Sequence, residues 1–305
     1  MRIGFLCEPN WSIHNVYDGL TKELHSHGIE TGIYHYRWNP TAYEYQSDYS
    51  LLEWFKIINN FDYFVTSTGP EFIKFYNKIG LAPEKTILAI HAPWEIPHMI
   101  DAFGPGYLDQ FASIFSVSTR CIFNAKVLGV TANINLVQNG VLFNRFYMPP
   151  SESCSEIGYA YPMNTQHKWK RTSIVSKING GAIVPNGICH FSLMRQFYKN
   201  IDVSLWVSDN NEACGLVNME TAAAGKLVMS TDVGILEQLP DTPIVKLRMK
   251  EEETIEDINN YIRFYRTWPK LHHKKCIEIQ EYAREYYDWS HAVKTWMTAF
   301  NKLNT

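Results

Sequence analysis

Two glutamates eight positions apart, Glu212 and Glu220, enclose the run Ala-Cys-Gly215-Leu216-Val-Asn-Met. Leu216 to Ala224 favour a helix and Gly215 loosens its start, so Glu212 is expected in the loop at the helix mouth and Glu220 five residues inside. If Leu216 and Met219 pack on a sheet, Glu220 looks toward the same crevice as Glu212. A helix N-terminus offers unpaired amides and partial positive charge, a ready site for a diphosphate. Two carboxylates beside such a site make little sense for phosphate alone. They make sense if one holds the hydroxyls of a ribose and the other faces a sugar that develops positive charge. Cations to neutralise the phosphates are gathered in Lys168-Trp-Lys170-Arg171, with Lys170 foremost and Lys168 or Arg171 in support.

Other chemistries find less support. His91, Glu95 and His98 do not have the spacing of a zinc helix, and Pro93 and Pro97 prevent one helical face from carrying all three. The chain has no Asp-x-Asp pair to hold a divalent ion on a diphosphate, so no metal site is expected. Its six cysteines never come closer than 25 positions, which excludes redox pairs and zinc knuckles and reads as reduced thiols of a cytoplasmic protein. With 28 Lys and Arg against 31 Asp and Glu, no global positive charge draws in nucleic acid or an anionic membrane. No apolar run is long enough for a signal peptide or a transmembrane segment.

The elements that must position these residues alternate short β-branched and aromatic runs with amphipathic stretches, the pattern of strands and helices around a parallel sheet. Strands are expected at residues 2–7, 31–36, 61–67, 86–91, 113–118 and 135–138, with helices at 16–27, 71–78 and 119–128. After Met148-Pro-Pro-Ser-Glu-Ser-Cys-Ser155, the best linker candidate, strands are expected at 157–161, 181–184, 203–207, 227–230 and 244–247. From Glu251 to Leu303 the pattern is helical, broken near Trp268-Pro269 and Asp288-Trp289-Ser290.

Several of these segments coincide with a known pattern. Glu212 and Glu220 in E-x7-E spacing, with Asp202-Val-Ser-Leu-Trp-Val-Ser208, Gly215-Leu216, Ala-Ala-Gly225 and Gly234-Ile-Leu-Glu237, resemble the retaining glycosyltransferases of the GT-B fold, in particular glycosyltransferase family 4. The resemblance extends to Val137-Gln-Asn-Gly-Val-Leu-Phe-Asn-Arg-Phe146 as a hinge, Ile90-His91 as the end of a donor-site strand and Tyr287-Asp-Trp-Ser-His-Ala-Val-Lys294 as a closing helix. Two departures stand out: Pro9-Asn-Trp-Ser-Ile-His14 replaces the family's glycine pair, and Ile157-Gly-Tyr-Ala-Tyr161 lacks its arginine.

The resemblance implies an α/β protein of two Rossmann-like domains with parallel sheets. These are an acceptor-side domain over residues 1–148, a nucleotide-sugar-binding domain over 149–288 and a crossover helix over 289–305. It implies a retaining, metal-independent transfer from a nucleoside diphosphate sugar, expected to be UDP-linked, with no cofactor besides this co-substrate. Glu212, His91 and Lys170 would be catalytic, and Glu220, Gly215, Leu216, Lys168, Arg171 and Thr221 would bind the donor. Trp11, Trp38 and Trp94 are the acceptor-side candidates. Tyr34, Tyr36, Trp38, Tyr43, Tyr45, Tyr49, Trp54 and Phe55 form a dense aromatic stretch that reads first as packing and second as an acceptor surface, since flat rings stack on sugars and bases alike. A saccharide or sugar-bearing acceptor is favoured. Its rival is a hydroxymethylated base in DNA, served by a local stripe including Arg120, Lys126 and Arg145. A noncatalytic nucleotide-sugar-binding protein, or an epimerase or phosphorylase on the same fold, would also fit the pattern.

Overall fold

The computed structural model describes residues 1–9, 12–161, 163, 167–184, 191–239 and 241–304. Contacts divide the chain into two units, Met1–Asn139 with Ala292–Thr305, and Gly140–His291.

The first unit opens with β1 (Arg2–Cys7), α1 (Ser12–Ser26) and β2 (Glu30–His35). An antiparallel hairpin of β3 (Arg37–Asn39) and β4 (Glu44–Gln46) comes next, then α2 (Leu51–Asn60), β5 (Tyr63–Ser67), α3 (Pro70–Ile79) and β6 (Thr86–Ile90). The set continues with α4 (Glu95–Phe103), β7 (Ser113–Ser116), α5 (Thr119–Val127) and β8 (Ile134–Leu136). The main sheet is parallel and ordered β2-β1-β5-β6-β7-β8. Ile3 to Cys7 and all of β6 are buried, as continuous apolar runs covered on both faces must be. The expected strands lie within a residue or two of those observed. The hairpin, α2 and α4 are additions. For α2 a sequence signal existed: Ser50 and Glu53 form a reciprocal capping box.

The second unit contains α6 (Phe143–Phe146), β9 (Ile157–Gly158), α7 (Thr172–Val175), α8 (Phe191–Lys199), β10 (Val203–Trp206), α9 (Leu216–Ala223) and β11 (Leu227–Thr231). After them come α10 (Ile235–Gln238), β12 (Val245–Leu247), α11 (Glu251–Thr267) and α12 (Pro269–Tyr282). The sheet is parallel and ordered β12-β11-β10-β9, and Ile183 adds a single bridge to Gly158 beyond β9. The expected strand over 157–161 is thus two residues long and the one over 181–184 shrinks to that bridge. Beyond β9 the Tyr159 N–H still donates to the Ile183 carbonyl at 3.0 Å, while its hydroxyl donates to the Lys170 carbonyl at 2.7 Å and ties the strand end to the Lys168–Lys170 turn.

The first sheet places β2 on one side of β1 and the remaining strands on the other, and in the second the Ile183 bridge lies on one side of β9 with β10, β11 and β12 on the other. The carboxyl ends of β1 and β5, and of β9 and β10, are therefore switch points where loops diverge and leave a crevice for a ligand. The segment Met148–Ser155 is packed rather than free. Asp202 accepts hydrogen bonds from the hydroxyls of Ser151 and Ser153 and the backbone N–H groups of Ser155 and Glu156, and Cys154 is buried.

The last helix, α13 (Trp289–Asn301), joins the first unit from Ala292 onward. There Trp296 and Phe300 are fully buried against Phe115, and the Trp296 indole N–H donates to the Gln138 carbonyl at 2.8 Å. Two such side chains contribute roughly 1.5–3 kcal/mol each by burial, which fixes the chain end on this sheet. Among the described residues no helix is long and apolar enough to cross a membrane.

Candidate nucleotide-sugar site

The chemistry of the second unit gathers at its switch point. Strand β10 is buried throughout and delivers Trp206, after which the loop from Val207 to Gly215 carries Ser208, Asp209 and Glu212. The Asp209 N–H donates to the Trp169 carbonyl at 2.8 Å, tying this loop to the tight turn of Lys168–Lys170 that follows β9. Across that junction the Lys170 ammonium meets the Glu212 carboxylate at 2.6 Å, with only 11% and 12% of the two side chains exposed. The ammonium also lies over the Trp206 ring at 4.1 Å and near the Tyr161 ring at 5.1 Å. Glu212 accepts further hydrogen bonds from the Gly215 N–H at 3.1 Å and the Ser208 hydroxyl at 3.3 Å. A nearly dry cation, fixed by its own carbonyl and by three side chains, is a strong electrostatic handle for an incoming anion.

Gly215 starts α9 in the left-handed region, at φ 73°, and no side chain caps the helix. Leu216 and Val217 are half-buried, so the first turn offers amide dipoles to solvent beside the Lys170–Glu212 pair. Gly234 supports this turn from behind: its φ is +64°, and a Cβ there would lie 2.6 Å from the Cys214 carbonyl oxygen, which accepts the Ile235 N–H.

Glu220 occupies a separate place. It is buried and accepts the Tyr198 hydroxyl at 2.6 Å. Burial pushes its carboxyl up to about 7, against the hydrogen bond from Tyr198 and the charge of Arg145. Thr221 beside it is fully buried. Lys168 is exposed. Arg171 adopts a left-handed backbone at φ 51° and donates at 3.4 Å to the Thr254 hydroxyl, and burial lowers its pKa against the fields of Glu251 and Asp209. The structure thus joins Lys170, Glu212 and Gly215 directly and places Glu220 with Tyr198.

In the first unit His91 ends β6 half-buried. Its ring Nε2 lies 3.2 Å from the Tyr17 hydroxyl, and its backbone N–H donates to Glu95 at 2.9 Å. Burial lowers the imidazole to about 4 and raises the Glu95 carboxyl to about 8, the latter opposed by the N–H groups of His91 and Ala92. At neutral pH this loop therefore presents a neutral imidazole against the Tyr17 hydroxyl, while Glu95 holds the backbone N–H of the same residue. Trp94 caps α4 and is 38% exposed; Trp38 is 37% exposed on the hairpin, its N–H donating to Glu8 at 2.9 Å. Trp11 lies outside the described residues. Of the aromatic stretch, Tyr36 and Trp54 are buried, Tyr45 stacks on Phe72 at 4.5 Å, and Tyr34 and Tyr49 pack edge-on, while Trp38, Tyr43 and Phe55 are exposed. The stretch is mostly core with an exposed fringe. Arg120 and Lys126 lie on α5, whereas Arg145 belongs to the second unit.

Residue types and spacing did not point to Tyr198, Ser208, Tyr17 or the role of Glu95. A tyrosine or serine carries no spacing signal when its partner lies on another element. Only for Glu95 was there a hint, an acid in the first turn of a helix.

Two parallel sheets of this order, with their loops diverging at a switch point, belong to the α/β GT-B fold. No family model matches the sequence, and no curated protein matches it. Among solved structures, the chain resembles an alpha-glucosyltransferase in complex with UDP and a 13-mer DNA containing an HMU base (TM-score 0.72, 10% identity, 100% of both chains covered). It also resembles sucrose-phosphate synthase from Thermosynechococcus elongatus (TM-score 0.70, 10% identity, 99% of both chains). A third likeness is to Anabaena HepE in complex with UDP-glucose (TM-score 0.65, 13% identity, 98% of this chain and 100% of that one).

Proposed function

We propose that this chain is a retaining glycosyltransferase of the family 4 type that moves a sugar from a UDP-linked donor to a hydroxyl of a saccharide or sugar-bearing acceptor, without a divalent metal. The observation that carries the reading is the Lys170–Glu212 pair at the carboxyl end of β10, beside the uncapped start of α9. As the bond between the anomeric carbon and the diphosphate oxygen breaks, negative charge grows on the leaving group. Lys170 and the Gly215 amide, both released by Glu212 as the donor enters, and the Leu216 amide oppose that growth in a water-poor setting, with Lys168 or Arg171 adding charge. Glu212 faces the sugar as its ring gains positive character, and by holding Lys170 it keeps the ammonium in place between turnovers. Glu220 binds the ribose hydroxyls, with Tyr198 setting its orientation and Thr221 alongside. His91, neutral at working pH, hydrogen-bonds a hydroxyl of the donor sugar.

The roles of the domains follow from their residues. The second unit binds the nucleotide, and the first, with exposed Trp38, Trp94 and Tyr43, receives the acceptor. The first unit holds 11 Lys and Arg against 13 Asp and Glu, a balance that suits a sugar better than a polyanion. One observation favours a second reading, transfer to a hydroxymethylated base in DNA: the full-length likeness to a glucosyltransferase solved with UDP and modified DNA. The neighbours solved with UDP or UDP-glucose support the donor assignment. The deciding experiment incubates the purified chain with a panel of nucleotide sugars in EDTA and measures nucleotide diphosphate release, alone, with saccharides and with hydroxymethylated duplex. Release from none of the donors would overturn the proposal.

A further inference from the structure

The charge of the first unit is divided across its sheet. Residues 1–109, which carry β2, β1, β5 and β6, contain 7 Lys and Arg against 13 Asp and Glu. Residues 110–139 and 292–305, which carry β7, β8, α5 and the unit's share of α13, contain Arg120, Lys126, Lys294 and Lys302 and no acidic residue. Because β7 and β8 are the last two strands in sheet order, this positive charge collects at one edge of the unit.

Helix α5 packs on β7 and β8 at that edge. It turns Cys121 and Ala125 inward, while Phe123 and Val127 on its outer face are 67% and 69% exposed and Leu128 at its end is 40% exposed. Phe123 and Val127 are one helical turn apart. Arg120 lies one turn before Phe123 and Lys126 one turn after it. On β8 itself Leu136 is 40% exposed. A face that interleaves large apolar side chains with four cations, against the single carboxylate of Asp109 that accepts the Thr131 hydroxyl at 2.9 Å at its rim, suits an anionic lipid surface: the apolar groups enter the boundary between headgroups and acyl chains, and the cations meet the lipid phosphates. A nucleic acid would use the cations but offer no apolar phase to Phe123, Val127 and Leu128.

We propose that the α5 face at the β8 edge docks the first unit on an anionic membrane surface. The proposal goes beyond glycosyl transfer and stands independently of it. The test is co-sedimentation of the full chain with vesicles of phosphatidylcholine, with and without phosphatidylglycerol. Binding is expected only to the anionic vesicles and is expected to weaken with salt. Each basic side chain at such a surface is worth roughly fivefold in affinity, so Lys126→Glu, a change of two charges, is expected to lower it roughly 25-fold. Phe123→Ser with Val127→Ser is expected to abolish retention, whereas Phe55→Ser, on the exposed face of α2 in the acidic part, leaves it unchanged. Unfolding curves matching the wild type show that the variants fold. The proposal is overturned if the wild-type chain ignores anionic vesicles, if these α5 variants bind as the wild type does, or if the same substitutions instead abolish binding to duplex DNA.

Discussion

Lys170→Met is the most informative perturbation because it separates stability, binding and turnover. The substitution keeps the stem over Trp206 and removes the ammonium, leaving Glu212, among the described residues, with the Gly215 N–H and the Ser208 hydroxyl. Removing one partner of a fully buried ion pair costs about 3–5 kcal/mol. Both side chains here retain about a tenth of their exposure, and Glu212 keeps two donors, so about 2 kcal/mol is expected. Donor affinity should fall less than the charge loss suggests, since in the wild type Lys170 must leave Glu212 to meet the diphosphate; roughly tenfold is a fair expectation. Turnover should fall by ~100- to 1,000-fold, the usual worth of one preorganised group facing developing charge. Glu212→Gln gives the complementary pattern. Its amide oxygen can still accept the Gly215 N–H, Lys170 is released toward the diphosphate, and donor affinity is retained while turnover drops. The double variant should recover much of the stability lost in Lys170→Met, because no buried charge is left unpaired. The assays are urea unfolding, calorimetry with UDP and steady-state release of UDP. UDP affinity and turnover within twofold of wild type in Lys170→Met would refute the reasoning.

Other outcomes follow from the same geometry. Above pH 8, where the carboxyl that burial raises to about 7 is ionised, Glu220→Ala should weaken UDP binding by about 1.5–3 kcal/mol through loss of a charged acceptor, and UMP and UDP should lose equally, since the diphosphate is held elsewhere; calorimetry with both ligands checks this. Glu95 and Glu220, raised to about 8 and about 7, hold their protons more tightly when folded. Stability should therefore fall as pH rises from near 4 to 8, and Glu95→Gln should flatten the upper part of that slope in urea unfolding. His91, lowered to about 4, works in the opposite window: the unfolded chain takes up a proton below about 6.5 and the folded one does not. Its contribution should thus be lost between pH 6.5 and 4, partly cancelling the gain from the two carboxyls there, so His91→Asn should steepen the fall of stability with pH across that window. Activity should survive EDTA, and loss on chelation restored by manganese would count against protein-borne charge at the diphosphate.

The local order of the chain was legible from residues alone wherever burial on both faces demanded continuous apolar runs, as in β1, β6 and β11. The helical tail was equally legible, because Pro269 and the Asp288-Trp289-Ser290 break leave little choice of boundary. So was the loop-then-helix placing of Glu212 and Glu220, since Gly215 can adopt the left-handed start that α9 uses. What pairs with these groups was not legible. Lys170 and Glu212 are 42 residues apart, and only the parallel pairing of β9 with β10, which sets the loops after them side by side, brings them to 2.6 Å. Burial lifts Glu220, against the Tyr198 hydrogen bond, and lowers His91, and the hydroxyls of Tyr198 from α8 and Tyr17 from α1 reach these side chains only after the helices pack. Side-chain type and spacing are properties of the chain, whereas partner, dielectric surroundings and protonation belong to the packed assembly, because each depends on atoms that the sequence places far away.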